Sequence, residues 1–594
     1  MLRVLLILIL SLIAVNGEAA IWYIRTDGGT NTECDGTHDA AQAGATDSGD
    51  AGSVPDCSLN HPNWVFPPRN ESSTTEAANG DTVIIASGSY RMGCQNSTNC
   101  RDADVNLTQS AYCSEFAPYD CIMSDGSTSE AAVPDNITVV GCTASGCPSS
   151  DDYPELWGAG RMTQIFKLSG TSGVTLKHLI LTDHASCLYS HDTLACGSSD
   201  SSELSAKWGV VWSGASDATL TGVKIRGMYA EGIKGVCIDC VIDGDSEINF
   251  NYTGYDTTGE AWTSTQSITF GTEANNSPTN RWQIAWNGCA DDGTGLVPAN
   301  EGCISNGGSD GYGGTTTDGI VNVNYGWVHH NAADGLDFLY FDDGDVTMTI
   351  KNTLFSANGG NQLKFSGNAS VYNNIFESWC GYFHSGNAYV NDGQFEYCRS
   401  VADTIAITFQ ANTDVVFDGN TINFNDGNNA FTINARNHTS TNCTADNSLT
   451  IRNLVAKANG KATALGGGTN GWLNVDANCS SAVVTVTNSN IYNYSTNPSG
   501  TGNVFTDPLF SGAVTDGIYD AYLSSSSPGR DIATESTSQP STDYNDFDRG
   551  AAYDAGALEY GSTPSGGGGG STTKILSLGS SMRLTVGSSA RIQF

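Results

Sequence analysis

The strongest constraint on this chain is a spacing that recurs along its length. From an apolar residue taken as position zero, a second apolar residue follows five positions on and a third thirteen positions on. Leu220, Ile225 and Ile233 fit, as do Val323, Val328 and Leu336, and Ile350, Phe355 and Leu363. Val371 and Phe376 continue the series with Phe383 one residue short, followed by Val390 with Phe395 and Phe417 with Ile422. Ile451 with Ala456 and Val486 with Ile491 extend it more weakly. Starts at 323, 350, 371, 390 and 417 are separated by 27, 21, 19 and 27 residues. Short apolar runs broken by Gly, Asn and Asp, with no long helical period, predict strands. A unit of about 20–25 residues built this way cannot bury its apolar face alone, so units must stack and share a core. The expected fold class is all-β, a single parallel β-helix. A leucine-rich repeat has a similar period but a Leu/Asn consensus that is missing here, and strands this short disfavour a two-sheet sandwich.

The two ends carry different signals. Met1-Leu2-Arg3, a largely apolar run from Val4 to Val15, and the small residues Gly17, Ala19 and Ala20 describe a cleaved signal peptide over 1–20. That run is too short to cross a bilayer comfortably, and no later stretch qualifies, so no transmembrane segment is expected. The mature chain is read as secreted and extracellular. Cysteine usage agrees: fourteen of the 18 cysteines fall into seven local couples, Cys34/Cys57, Cys94/Cys100, Cys113/Cys121, Cys142/Cys147, Cys187/Cys196, Cys289/Cys303 and Cys380/Cys398. Such spacing suits disulfides that staple loops in an oxidising compartment. Cys237-x-x-Cys240 stands alone, without the second CxxC or His pair that a zinc site needs. A net charge of −38 with only 25 Lys and Arg argues against a nucleic-acid partner or an anionic membrane. The same excess of Asp suits calcium, which prefers oxygen ligands.

Gly80-Asp81-Thr82-Val83-Ile84-Ile85-Ala86-Ser87-Gly88-Ser89-Tyr90 resembles the entry strand of pectate-lyase-like right-handed parallel β-helix proteins. Asp507-Pro508-Leu509-Phe510, Ser527-Pro528 and Asp554-Ala555-Gly556-Ala557-Leu558-Glu559-Tyr560 resemble the closing segment of many exported bacterial β-helix proteins. The resemblance spans residues 22–560 and is specific for fold more than for activity. The expected organisation is an N-terminal cap and first coils with disulfide-rich loops over 21–165, and a β-helix over 166–561. A Gly/Ser linker over 562–571 and a short β tail over 572–594 follow, the tail being a candidate for attachment or assembly.

Candidate chemistry lies where two coils face each other. In the register above, Asp334 of one coil meets Asn361 of the next, and Asp337 meets Lys364. Leu336/Phe338 and Leu363/Phe365 should point inward and Asp337/Lys364 outward. His384, next to Phe383, should come next in that outward column. Removing the proton alpha to a uronate carboxylate requires a base and a cationic stabiliser. The Asp-Gly-Leu-Asp-Phe and Asn-Gln-Leu-Lys-Phe segments are similar to the calcium and base motifs of one pectate lyase family. The resemblance implies Asp334 and Asp337 as Ca2+ ligands, Asp318 as a further ligand and Lys364 as the base of a polysaccharide lyase. This chain departs from that family at Ala333, where an additional Asp is usual, and the 16 residues from Asp318 to Asp334 are short for a full coil. Asp337, Lys364 and His384 are therefore the candidate catalytic residues. Asn361, Tyr340 and His330 are candidates for binding an acidic polysaccharide, and Trp327 and Trp379 could stack on sugar rings. Other readings stay open. Asp337 and Lys364 would equally form a plain salt bridge between stacked strands. Asp334 and Asp337 could serve paired-carboxylate glycoside hydrolysis, although no Gly-His-Gly segment accompanies them. A non-catalytic glycan-binding, adhesion or structural surface protein would use the same groove. At −38, a polyuronate would be repelled unless a cation or a locally basic groove intervenes.

Overall fold

Each unit of the apolar spacing builds three short strands joined by tight corners. The structure, a computed structural model, describes residues 19–43, 45, 54–66, 77–92, 133–158, 164–183, 206–228, 230–257, 267–289, 309–314, 319–339, 347–378, 403–425, 429–435, 443–458, 471–511, 521–534, 541–550, 552–562, 575–578 and 582–585. Sheet 1 has 13 strands running from Ile21–Gly29 to Val483–Thr487, and sheet 2 has 12 from Ser89–Arg91 to Asn490–Tyr492. Sheet 3 has 10, from Gln164–Lys167 to Gly471–Val475. Along each sheet a strand pairs in parallel with its counterparts in the neighbouring coils, so the three sheets wind as a parallel β-helix, with the right hand that parallel crossovers take. This is the all-β parallel β-helix expected from the spacing.

The spacing maps directly onto the sheets. Val323, Ile350, Val371, Phe417, Ile451 and Val486 stack in sheet 1. Val328, Phe355, Phe376, Ile422, Ala456 and Ile491 stack in sheet 2. Leu336, Leu363 and Ile405 stack in sheet 3. Nearly all of these side chains are fully buried in one continuous core, where each large aliphatic contributes about 1.5–3 kcal/mol. One expectation is corrected. Val371 pairs directly with Phe417, and Leu363 with Ile405, leaving no rung for a coil starting at Val390 or for Phe383 in sheet 3. Those two residues and Phe395 lie outside the described residues. A long insertion between sheets 2 and 3 carries apolar residues of its own, and period alone does not separate it from a coil.

The corner between sheets 2 and 3 is held from inside by asparagines. Phe250, Trp286, His330 and Ala357 take positive φ values of 57°, 57°, 53° and 51°, and an Asn follows each. Asn251, Asn287, Asn331 and Asn358 are buried, and each accepts backbone or side-chain N–H groups from the coil before it. Gly254, Gly311 and Gly335 follow this corner, where a Cβ would collide with the carbonyl of the next rung. A second ladder joins sheets 1 and 2, with Asn374 accepting from Thr353 N–H at 3.0 Å and Asn420 from Asn374 N–H at 2.9 Å. These ladders satisfy backbone groups that a solenoid corner would otherwise leave unpaired.

The closing motifs add no further rung among the described residues. Tyr544, Ala557 and Leu558 instead pack on Leu354 and Ile375, outside sheet 2. Buried Arg549 ties this segment down, donating to Glu559 at 2.6 Å and to Asn373 Oδ1 at 2.8 Å. Ile575–Leu578 and Met582–Thr585 form an antiparallel hairpin, as the alternation in the tail suggested. Disulfides join Cys34–Cys57 and Cys142–Cys147 as expected, Cys237–Cys240 with no metal role, and Cys443–Cys479, a pair that proximity in sequence did not suggest. Cys289 is also disulfide-bonded, and the other proposed couples lie outside the described residues. No helix among the described residues is long and apolar enough to cross a membrane.

Candidate functional site

The outer face of sheet 3 carries two polar columns. One runs along the strands as Lys234, Asp256, Gly313, Asp337, Lys364, Ala406 and Thr432. The other lies at the corner as Asp310, Asp334, Asn361 and Asp403, each one rung from the next and each bonded to it. Asp310 Oδ1 accepts the Asp334 N–H at 2.9 Å, Asp334 Oδ1 accepts the Asn361 N–H at 2.7 Å, and Asn361 Oδ1 accepts the Asp403 N–H at 3.1 Å. This external ladder arises because an Asx side chain at a strand entrance reaches the free amide of the following rung.

Lys364 bridges the two columns. Its Nζ donates to Asp337 Oδ2 at 2.7 Å and to Asp334 Oδ2 at 3.2 Å. The remaining oxygens are also engaged: Asp337 Oδ1 accepts the Leu339 N–H at 2.8 Å, and Asp334 Oδ1 holds Asn361. Asp334 and Asp337 are buried, whereas the Lys364 side chain keeps 20% exposure. Burial pushes the Asp337 carboxyl up to about 6, against the pull of the Lys364 charge. For Lys364, burial disfavours the ammonium, but the charges of Asp334 and Asp337 outweigh it and raise its pKa. The resting group is thus a firmly protonated lysine held by two carboxylates.

The register therefore places Asp334, Asp337, Asn361 and Lys364 together as expected. Ala406, not His384, occupies the next place in the column; His384, Asp318, Tyr340 and Trp379 lie outside the described residues. His330 is buried in the corner and stacks on Trp286 at 4.3 Å between centroids. His329 stacks on Trp327 at 3.9 Å. These contacts are packing at the positive-φ corner. Sequence reading missed Asp310 and Asp403. Asp310-Gly311 repeats Asp334-Gly335 one coil earlier, and that echo was the available signal.

Asp310, Asp334 and Asp337 offer carboxylate oxygens, the donor type that hard divalent cations prefer. The Lys364 ammonium shows that a cation fits between two of them. Among the described residues, however, the three donors already gathered within 4.8 Å of one another are Asp35, His38 and Asp56 in the N-terminal cap. A divalent ion at the sheet 3 site would have to displace the ammonium.

Asp403, buried, accepts from Asn429 Nδ2 at 2.7 Å and Thr432 Oγ1 at 2.5 Å, and burial raises its pKa. A carboxyl whose folded pKa is raised stabilises the fold fully below its unfolded value of about 4, and that contribution is lost as pH rises through the folded value. Asp403→Asn should therefore raise the thermal midpoint at neutral pH and flatten its decline between acid and neutral pH. A midpoint that falls equally at all pH values would contradict this.

No protein-family model matches the chain, and no curated protein sequence matches it. Several solved structures share its chain course. Pectate lyase Pel9A is 12% identical, with 92% of this chain and 98% of that one covered and a TM-score of 0.40. An alginate lyase from Paenibacillus sp. str. FPU-7 is 13% identical over 68% of this chain and 94% of its own, with a TM-score of 0.29. An endo-xylogalacturonan hydrolase from Aspergillus tubingensis is 11% identical over 72% and 92%, with a TM-score of 0.32. These are likenesses of chain course alone.

Proposed function

We propose that this chain is an exported carbohydrate-active protein that cleaves an acidic polysaccharide by β-elimination, with Lys364 as the base. The observation that carries this reading is the Lys364 ammonium on the outer face of a long solenoid. Two of its three N–H groups rest on buried carboxylates, and one is left for a ligand.

In that role the third N–H of Lys364 orients a uronate carboxylate against the groove. Once Nζ has released one proton to bulk water, its lone pair accepts the proton alpha to that carboxylate. The C–H electrons form the new double bond as the glycosidic oxygen leaves with the C–O electron pair and takes a proton from water. Asn361 fixes Asp334, and the Leu339 amide fixes Asp337, so the lysine is aimed by groups that cannot rotate freely. Ca2+ held by Asp310, Asp334 and Asp337 would take the place of the Lys364 ammonium between the two carboxylates, and its positive charge would neutralise them and the substrate and so lower the lysine pKa. The disulfides fit the expected export.

A second reading rests on a specific observation. Every oxygen of Asp334 and Asp337 already has a partner, as a purely structural ladder in a glycan-binding or surface protein would require. Purified protein incubated with polygalacturonate and alginate, with and without EDTA, separates the two. Unsaturated uronate ends, read by ultraviolet absorbance, should appear on at least one polymer and fall on chelation. Binding without such ends on either polymer would sink the lyase reading in favour of the second.

A further inference from the structure

We propose that Lys234 is a second anchoring residue for the same acidic chain, four rungs before Lys364; this rests on the polyuronate reading of the Lys364 site. Outward from Gly313, the sheet 3 column has the same order in both directions: Asp256 then Lys234 on one side, Asp337 then Lys364 on the other. Each lysine pairs with the aspartate on the glycine side, at 2.5 Å for Lys234–Asp256 and 2.7 Å for Lys364–Asp337. Each also meets one carboxylate three residues before the column position on its own or the preceding strand, Glu231 at 3.6 Å and Asp334 at 3.2 Å. An ammonium has three donors, so each lysine retains one after its internal contacts. Both side chains keep 20% exposure.

The two ammonium groups therefore lie on one line parallel to the solenoid axis. At about 4.8 Å per rung they are set ~19 Å apart. A small acid would engage one of them, but a chain carrying a carboxylate on successive sugars can engage both. Gly313, at the midpoint, has no side chain, and a Cβ there would meet Asp310 Oδ2 at 3.0 Å. The Asp310 carboxylate thus takes the space that a side chain at this rung would fill. One rung beyond Lys234, Trp208 donates its indole N–H to Glu231 and carries Lys207 Nζ 4.3 Å from its ring centroid, which adds an aromatic face and a further cation. Carboxylates outnumber these lysines on this face, so a polyanion would be held through the free N–H groups of the ammonium ions and not through a net basic field.

Isothermal titration of the full chain with size-fractionated polygalacturonate and alginate tests this. Lys234→Met should weaken binding of long chains about tenfold and leave fragments too short to span four rungs unaffected. Lys364→Met should weaken both. Lys234→Met combined with Asp256→Asn keeps the local charge balance and should show the same length-dependent loss if the single variant folds poorly. Long chains binding to the Lys234 variants as to the wild type, with Lys364→Met impaired, would overturn this inference and leave the Lys364 reading standing. Wild-type protein that binds neither polymer at any length would overturn both.

Discussion

Replacing Lys364 with methionine is expected to lower polyuronate cleavage by about 10²–10⁴-fold, the range that loss of a positioned general base produces. The same change should cost stability, because it leaves Asp334 Oδ2 and Asp337 Oδ2 without their shared cation. Breaking a fully buried pair costs about 3–5 kcal/mol, and the partial exposure of Lys364 brings the expected figure down to about 1–3 kcal/mol. The two losses respond differently to a second substitution. Asp337 already has a carboxyl raised to about 6 by burial, so Asp337→Asn in the Lys364→Met background removes a charge that the site resists holding. The double variant should regain much of the denaturant midpoint and none of the activity. Urea titration and product counting on the same preparations check both halves. Cleavage that survives in Lys364→Met would remove the lysine from the base role, whatever the stability data show.

The parts of the fold that were legible are those where one residue type recurs at a fixed offset. Val323, Val328 and Leu336 announce three strands because no insertion separates them, and the next coil repeats the same offsets. The pairing of Asp337 with Lys364 followed from that register, since inward Leu336 and Leu363 force the next residues outward. Ala406 takes the place expected for His384 because the chain runs on from Ser378 to Asp403 before sheet 3 resumes at Ile405, a length that the apolar offset alone does not reveal. Asp310 was passed over because its strand, Tyr312–Gly313, is two residues long and presents almost no alternation to read. The asparagine ladder did have a signature: Asn251, Asn287, Asn331 and Asn358 each fall three residues after the buried sheet 2 residue, Ile248, Ile284, Val328 and Phe355. Asn is common in this chain, so that offset becomes visible only once the sheet 2 column is known.

That ladder makes the largest stability prediction. Asn331 is fully buried and uses its whole amide. Its Oδ1 accepts the Asn287 N–H at 3.2 Å and Asn287 Nδ2 at 2.8 Å, and its Nδ2 donates to Ile284 O at 3.1 Å and Asn358 Oδ1 at 2.8 Å. Asn331→Ala removes all four bonds and strands the Asn287 amide and the Ile284 carbonyl in a dry corner. Each buried group left unsatisfied costs about 1–3 kcal/mol, and because neighbouring losses are not additive the expected total is about 3–5 kcal/mol. Asn331→Asp should be no milder, since it keeps the acceptor but replaces two donors with a buried charge. Rungs contact only their neighbours, so the damage should stay near the coils that carry Asn287, Asn331 and Asn358. Asp334 lies three residues beyond Asn331, at the exit of the same corner, so polyuronate binding should weaken with the fold. Hydrogen exchange resolved by coil checks this: protection should fall first around Ile284 and Val328 and persist around Leu176 and Leu220. Uniform loss of protection along the whole solenoid would mean that the corner asparagines fasten the helix as a single cooperative unit.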